Sequence, residues 1–414
     1  MKVKWRQNKA QGGMELETPT ESKPLPPAKT PTGISAGLAT VFSMAAGLAV
    51  GNLYWMQPLL SAIAESYGVP TAQGGMLVTA TQIGYALGIL FLAPLGDIRE
   101  RRGLLTGIML ATTVALLGCA AAPSLTGLSI ALAFLGCVTV SGQIILPLTG
   151  DLADDGSRGR MVGIVSSGIT AGILFSRMLS GLVADIWGWR SIYLMAAVLN
   201  LAMAAVIRWR VPTVPARSHV AYRELLVSVF TAVKRHPAMR GILWKQGMIF
   251  GIAFNLFWTA LTFLLSKEPF SYGTFQIGLV SLSGLTGAAA GVKLGKLQDK
   301  GLGHQAVGWF IGLSLVSMSA AAFLGGSIVA LVLVAAVFSL AVQGVGILSQ
   351  AQLFALSDTE RSRLNTAFVV SNFMFSAAGS FLASALWNAG GWQYVALSAA
   401  TASLLALAVH YGES

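Results

Sequence analysis

Two long stretches without one charged side chain, residues 71–95 and 104–122, are separated by Gly96–Gly103, which holds Asp97, Arg99, Glu100, Arg101 and Arg102. Each stretch is close to the ~20 apolar residues that carry a helix across the hydrocarbon core of a bilayer. Backbone in lipid has to satisfy its own hydrogen bonds, which leaves such stretches little choice but spanning helices. The pattern continues along the chain. Apolar runs bounded by charged or Gly/Pro turns predict twelve spans near 36–63, 72–96, 104–122, 127–150, 161–185, 191–208, 241–265, 273–296, 305–324, 327–355, 364–387 and 392–410. Only 10% of the 414 residues are charged and 55% are apolar, against about a quarter charged in soluble domains. No single water-soluble core could take up that surface, so the expected fold class is an all-α polytopic membrane protein.

The net charge of +11 would suggest nucleic acid in a soluble protein. Here the basic residues sit in loops, and no nucleic-acid partner is expected. The N-terminal segment, the loops after spans 2, 4, 6, 8 and 10, and their flanks hold 23 of the 27 Lys and Arg. The other side holds Arg190 and Lys267, and Arg177 and Lys245 fall within spans. Lys and Arg concentrate on the cytoplasmic side of membrane proteins, so both termini are expected there, in a cell (inner or plasma) membrane. Residues 1–34 are polar and rich in proline, without an early apolar core, and read as a disordered cytoplasmic tail. Residues 35–208 and 241–411 then form two six-helix bundles. The basic linker 209–240 joins them. Within it Leu225, Leu226, Val229, Phe230 and Val233 recur at helical spacing, which predicts an amphipathic helix either on anionic lipid or packed on the bundle ends. Cys119 and Cys137 lie in apolar runs and read as buried small residues. The four histidines lie in loops or at span ends, and neither a metal nor a cofactor is expected.

The two halves are copies. Asn52–Leu53–Tyr54–Trp55 recurs as Asn255–Leu256–Phe257–Trp258, an offset of 255 − 52 = 203. At the same 203 offset Gly84 and Gly88 recur as Gly287 and Gly291, Arg158 and Arg160 as Arg361 and Arg363, and Gly188–Trp189 as Gly391–Trp392. Asp97 matches Asp299 one residue out of step. Parallel repeats of this kind place a cavity at their interface near the bilayer midplane.

With those repeats on either side of it, the charged loop resembles the major facilitator signature Gly-x-x-x-Asp-Arg-x-Gly-Arg-Arg. Asp97, Arg101 and Arg102 match, while Ala93, Ile98 and Glu100 depart from it. The likeness covers residues 36–410 and is nearest to the drug and metabolite (arabinose-efflux-like) efflux branch, on Asn52–Leu60 and Gly172–Gly181. It implies twelve transmembrane helices in two pseudo-symmetric six-helix bundles. It also implies that Asp97, with Arg101 and Arg102, gates the cytoplasmic side by contacting span 11 in the outward-open state. Asp299 and Lys300 would do the equivalent in the second half.

Residues with a candidate part in binding are polar or aromatic and lie inside spans. Asn52, Gln57, Gln82, Gln143, Asn255, Gln343 and Asn372 need hydrogen-bond partners that lipid does not offer. Trp55, Tyr85 and Trp258, with Tyr54, add flat faces with a polar tip. Asn52 and Trp55 share a helix face at i,i+3, as do Asn255 and Trp258. Arg177 is about eight residues from the outer end of span 5. Arginine at a helix centre in a bilayer costs at least ~2.5–3.5 kcal/mol, so it either faces a wet cavity or is held by backbone carbonyls or the span 1 amides. Lys245 is about one turn inside span 7, close enough to reach the interface. The glycine pairs Gly84/Gly88 and Gly287/Gly291 have the small-xxx-small spacing of close helix contacts and are expected where the halves meet.

No Asp or Glu lies centrally in any span; Asp151 and Asp185 sit at span ends. Exchange of a cation for a proton needs such a carboxylate, so neutral or anionic cargo is favoured, with protons a candidate coupling ion. An ATP-driven pump needs a phosphate-cradling loop, and Gly291–Leu297 fails its spacing. No cluster of acids, histidines or nucleophiles marks an enzyme. The expectation is a monomeric secondary active transporter that exports small organic molecules by alternating access. Metabolite uptake on the same fold is the alternative, and a non-transporting receptor or scaffold the alternative of another class.

Overall fold

The structure is a computed structural model that describes residues 5–7, 14–16, 34–154, 156–216, 220–287, 301–357 and 360–412. Apart from the short strands Trp5–Gln7 and Met14–Leu16, paired antiparallel, its described elements are helical. Among the described residues, nine helices are long and apolar enough to cross a bilayer. Span 1 is in two pieces, Ala36–Gly51 and Leu60–Ser66, joined by turns and the 3-10 stretch Gln57–Leu59. Pro58 has no N–H to give and its ring crowds the carbonyl four residues back, so one continuous α-helix cannot run through it. The longest helix, Arg361–Gly412, bends at the non-helical Gly390 and Gly391 and comprises spans 11 and 12. Span 8 is described as Thr274–Val280 and Ser281–Gly284, while Asp299 and Lys300 lie outside the described residues. All twelve expected positions are therefore occupied by helix, span 8 in part.

The repeat is visible in the backbone. Gly188 and Gly391 both have positive φ, 80° and 64°, in a region closed to residues with a Cβ. Each reverses the chain into the last helix of its half. The tryptophan that follows then anchors the turn, Trp189 Nε1 donating to Ser66 Oγ at 3.0 Å and Trp392 Nε1 to the Ala321 carbonyl at 2.7 Å.

Each half is knitted by glycine seams. A Cβ on Gly84 or Gly88 would lie 1.9 or 2.1 Å from the carbonyls of Ala133 and Cys137, so span 2 packs backbone to backbone on span 4. Gly47, Gly168 and Gly172 do the same between spans 1 and 5, and Gly287 packs on Ser339 and Gln343 of span 10. These glycine pairs hold helices together inside a half. The expectation that they line the boundary between halves is corrected; Gly291 lies outside the described residues.

The boundary has two seams, span 2 against span 11 and span 5 against span 8. One face of the bundle carries the loop 96–103 and the linker (the basic face); the other carries the reversals at Gly188 and Gly391. At that far face the halves are fastened together. Ser61 Oγ donates to Ser266 Oγ at 2.8 Å, Thr262 Oγ1 to the Gln57 carbonyl at 3.1 Å, and Thr274 Oγ1 to the Gly181 carbonyl at 3.0 Å. Asp185, at the end of span 5, accepts from the Thr274 hydroxyl and from the Phe275 amide, and so caps the start of span 8. Along the other seam, Tyr85 meets Phe373 edge to face at 4.5 Å, and Val369 and Val370 pack into the first half's core nearer the basic face.

The linker contains the helix Tyr222–Arg235. Of its two expected positions the packed one is found. Val229 and Ala232 are buried with Leu353, Leu364 and Phe368 of spans 10 and 11. Tyr222 Oη donates to the Phe91 carbonyl of span 2 at 2.6 Å, and Arg235 and His236 both bond Glu360, each at 2.9 Å. One short helix therefore touches both halves at the basic face. Lys245 is buried, on a span that lies deep in the bundle.

Candidate functional site

The charged loop is ordered by its own side chains. Glu100 opens span 3 (Arg101–Ala121) as its cap, accepting from the amides of Arg102 and Gly103 at 2.9 and 2.7 Å. Burial alone would raise its carboxyl. The amide N–H groups of Gly103, Arg102 and Val214 outweigh that and hold it below the usual range. Arg101 is buried and donates to Asp151 at 2.7 Å and to the Gly96 carbonyl at 2.9 Å. Asp97 is half-exposed and pairs with Arg101 at 3.7 Å, not with span 11. Arg101 Nα also donates to the Val214 carbonyl at 3.1 Å, which staples the start of the linker to the loop.

Deeper in the bundle a cavity of about 120 Å³ lies between the halves. Span 5 contributes Thr170, Ile173, Leu174 and Arg177, and the broken part of span 1 contributes Tyr54. From the second half come Phe250, Phe254 and Trp258 of span 7, Gly284 of span 8, and Ser339, Val342 and Gln343 of span 10. The spacings 250, 254, 258 and 339, 342, 343 put each set on one helix face. Stacked Phe250 and Phe254, 5.4 Å apart and 10° from parallel, make one wall.

Arg177 is 2% exposed, with its guanidinium carbon 4.9 Å from the ring centres of Tyr54 and of Trp258. Such ring contacts return about 2 kcal/mol or more to a desolvated cation, less than burying an unpaired charge costs. Among the described residues, neither Asp nor Glu lines the cavity. The backbone fixes the position of Arg177. A Cβ on Gly278 would stand 2.7 Å from the Arg177 carbonyl, and Ser180 Oγ donates to the same carbonyl at 3.1 Å.

Three of the eleven candidate binding residues, Arg177, Trp258 and Gln343, line this cavity. Six of the others make ties. Asn52 donates to Thr139 Oγ1 at 3.1 Å and accepts from Trp55 Nε1 at 2.8 Å, so this pair satisfies itself. Gln82 donates to Asn255 Oδ1 at 2.6 Å and accepts from Ser380 Oγ at 3.1 Å, joining the halves. Asn255 Nδ2 in turn donates to the carbonyls of Phe250 and Gly251 at 3.2 and 3.0 Å. Those carbonyls belong to a π-helical turn, Gly247–Ala253, and such turns gather at functional sites. Gln143 donates to Tyr85 Oη at 3.1 Å. Gln57 and Asn372 are buried away from the cavity.

Because Gln82 occupies Asn255, the repeat is broken at its centre. Trp55 has its asparagine partner, while Trp258 Nε1 is buried with none. Reading the sequence missed Thr170, Phe250, Phe254 and Ser339 as lining residues. The 250, 254, 258 spacing was available as a signal, but a row of aromatics in an apolar span also describes plain packing.

The Major Facilitator Superfamily family matches residues 42–358. The chain is 37% identical over 377 residues to the uncharacterized transporter YgaY of Escherichia coli O157:H7, covering 91% of this chain and 95% of that one. It is 30% identical over 369 residues to the probable transporter SCO4007 of Streptomyces coelicolor, covering 89% and 85%. Among solved structures, the human organic anion transporter MFSD10 (TETRAN) superposes with a TM-score of 0.68 at 17% identity, covering 91% of this chain and all 100% of that one. The nucleoside transporter NupG, solved as a point mutant, gives 0.71 at 16% identity over 90% and 98%.

Proposed function

The chain belongs to the Major Facilitator Superfamily, and from that premise we propose that it is a monomeric secondary transporter exporting small organic molecules by alternating access. One observation carries this reading. A cavity is drawn from both halves, and the halves are fastened to each other at the far face. Rocking the halves about that cavity would expose it to either side in turn. The basic face, holding most of the Lys and Arg, is assigned to the cytoplasm of a bacterial inner membrane. Molecules would then enter from the cytoplasm in the state described. Asp97, Arg101 and Arg102 are assigned to the loop that remakes its contacts when the basic face closes, with Asp299 and Lys300 as its counterpart. In the described state Arg101 is instead held by Asp151.

Among the described residues, the cavity lining has no carboxylate or histidine to carry a proton. Any proton coupling would therefore act away from the cargo. Accumulation of a compound panel in cells with and without the protein, repeated with an uncoupler, tests the reading. Lower accumulation of some compounds, restored by the uncoupler, is the expected result. Higher accumulation would mean uptake, and identical accumulation throughout would remove transport of that panel's chemistry.

A further inference from the structure

Around the cavity the fold leaves four hydrogen-bond donors unfilled. Arg177 Nε and Nη2, Trp258 Nε1 and Ser339 Oγ are all buried, and none has a partner. All three residues line the same space. Buried donors are ordinarily paired, and each exception calls for a reason. Three of these four are N–H groups, which can only donate, so what completes the set has to accept. A positive charge with no acid beside it asks that the acceptor be an anion.

Resting on the cavity being the transport site, we propose that the cargo is anchored there by a single carboxylate group carried on an apolar body. A carboxylate is planar, accepts through both oxygens and fits the paired N–H edge of a guanidinium. Nε and Nη2 are neighbours on that edge. The Trp258 indole and the Ser339 hydroxyl supply further donors to the remaining lone pairs. Charge decides against phosphate. A dianion would leave one negative charge unbalanced among Phe250, Phe254, Ile173 and Val342. A neutral amide would leave the Arg177 charge unbalanced. The same side chains define the rest of the cargo, since the walls away from Arg177 are mostly aromatic and aliphatic, with Thr170 and Gln343 the polar exceptions. Gly284 faces the same space. A Cβ there would come within 4 Å of Leu174, Ser339 Oγ and Trp258.

The test uses the purified full-length protein in lipid nanodiscs, with thermal protection and calorimetry as readouts. The probes are benzoate and phenylacetate, their neutral amides, and phenylphosphonate. The carboxylates are expected to bind at least about tenfold tighter than the matching amides, the discrimination of one lost charge-assisted pair. Trp258→Phe keeps the ring and removes one donor, and should weaken the carboxylates by about tenfold while leaving the amides unchanged. Arg177→Gln should weaken them by about a hundredfold or more. Equal binding of amide and carboxylate, preference for the phosphonate, or no carboxylate binding at all overturns the proposal, and the wild-type comparison stands even if a variant fails to fold. Absent carboxylate binding alongside active export in cells would sink this inference alone. Absence of both would sink the transport reading with it.

Discussion

Replacing Gln82 by alanine should loosen the far face, and it also releases Asn255, which shares a helix face with the cavity residue Trp258. In the structure its side chain is the one that reaches from span 2 to both Asn255 and Ser380 of the second half, at 2.6 and 3.1 Å. Hydrogen bonds between helices in membrane proteins average about 0.6 kcal/mol in double-mutant cycles. Two of them give about 1.2 kcal/mol, roughly an eightfold shift between conformations that do and do not hold this contact. Leaving the Asn255 carbonyl oxygen buried without a donor pushes the upper bound to about 3 kcal/mol. The assay is disulfide formation between cysteines placed at Ser61 and Ser266, whose hydroxyl oxygens are 2.8 Å apart, with Cys119 and Cys137 replaced. The Gln82→Ala protein should cross-link several-fold more slowly than its parent, with unchanged expression. An unaltered cross-linking rate would refute the view that this bond network holds the far face shut.

Gly278→Ala should be worse than an ordinary alanine substitution. Its Cβ meets the Arg177 carbonyl at 2.7 Å, so spans 5 and 8 have to separate, at about 1–3 kcal/mol, read as a fall in melting temperature and slower formation of the same cross-link. Asp97→Asn should slow transport turnover while leaving probe affinity within about twofold, since Asp97 is far from the cavity and its partner is Arg101; unchanged turnover would remove it from the gate. At the linker, the bond from His236, and then those from Arg235, hold the Glu360 carboxyl below its ordinary value. A depressed carboxylate stabilises the fold above its unfolded pKa and loses that contribution as pH falls through the folded one. Proteolytic protection of the linker helix should therefore persist through mildly acidic pH and fail only below the usual carboxylate range, and His236→Ala should raise the pH at which it fails.

The spans were legible because twenty apolar residues in a row have few alternatives in lipid, and the repeat because two copies kept their turn residues, above all Gly188 and Gly391. What could not be read was which polar side chains face a cavity and which bind one another. Asn52 and Asn255 look alike in sequence, and only the position of Gln82 separates their partners. Gly84 and Gly88 likewise announce a close contact without naming the helix they touch; it is span 4. Arg177 was readable as an anomaly by its cost. That it has rings beside it and no acid is a fact of packing with residues 123 (Tyr54) and 81 (Trp258) positions away.

The two seams between the halves are related by the repeat, and the seam of spans 2 and 11 is described along its whole length. Spans 2 and 11 stay in contact from Gly75 against Ser384 to Val369 and Val370 in the first half's core, with the linker helix bound to both halves beyond them. The described contacts of spans 5 and 8 run only from Thr274 against Gly181 to Gly284 against Leu174. The line of spans 2 and 11 is thus tied at its far end, at its middle and, through the linker helix, at its basic end. A line held at three heights is the natural hinge for any turning of one half against the other.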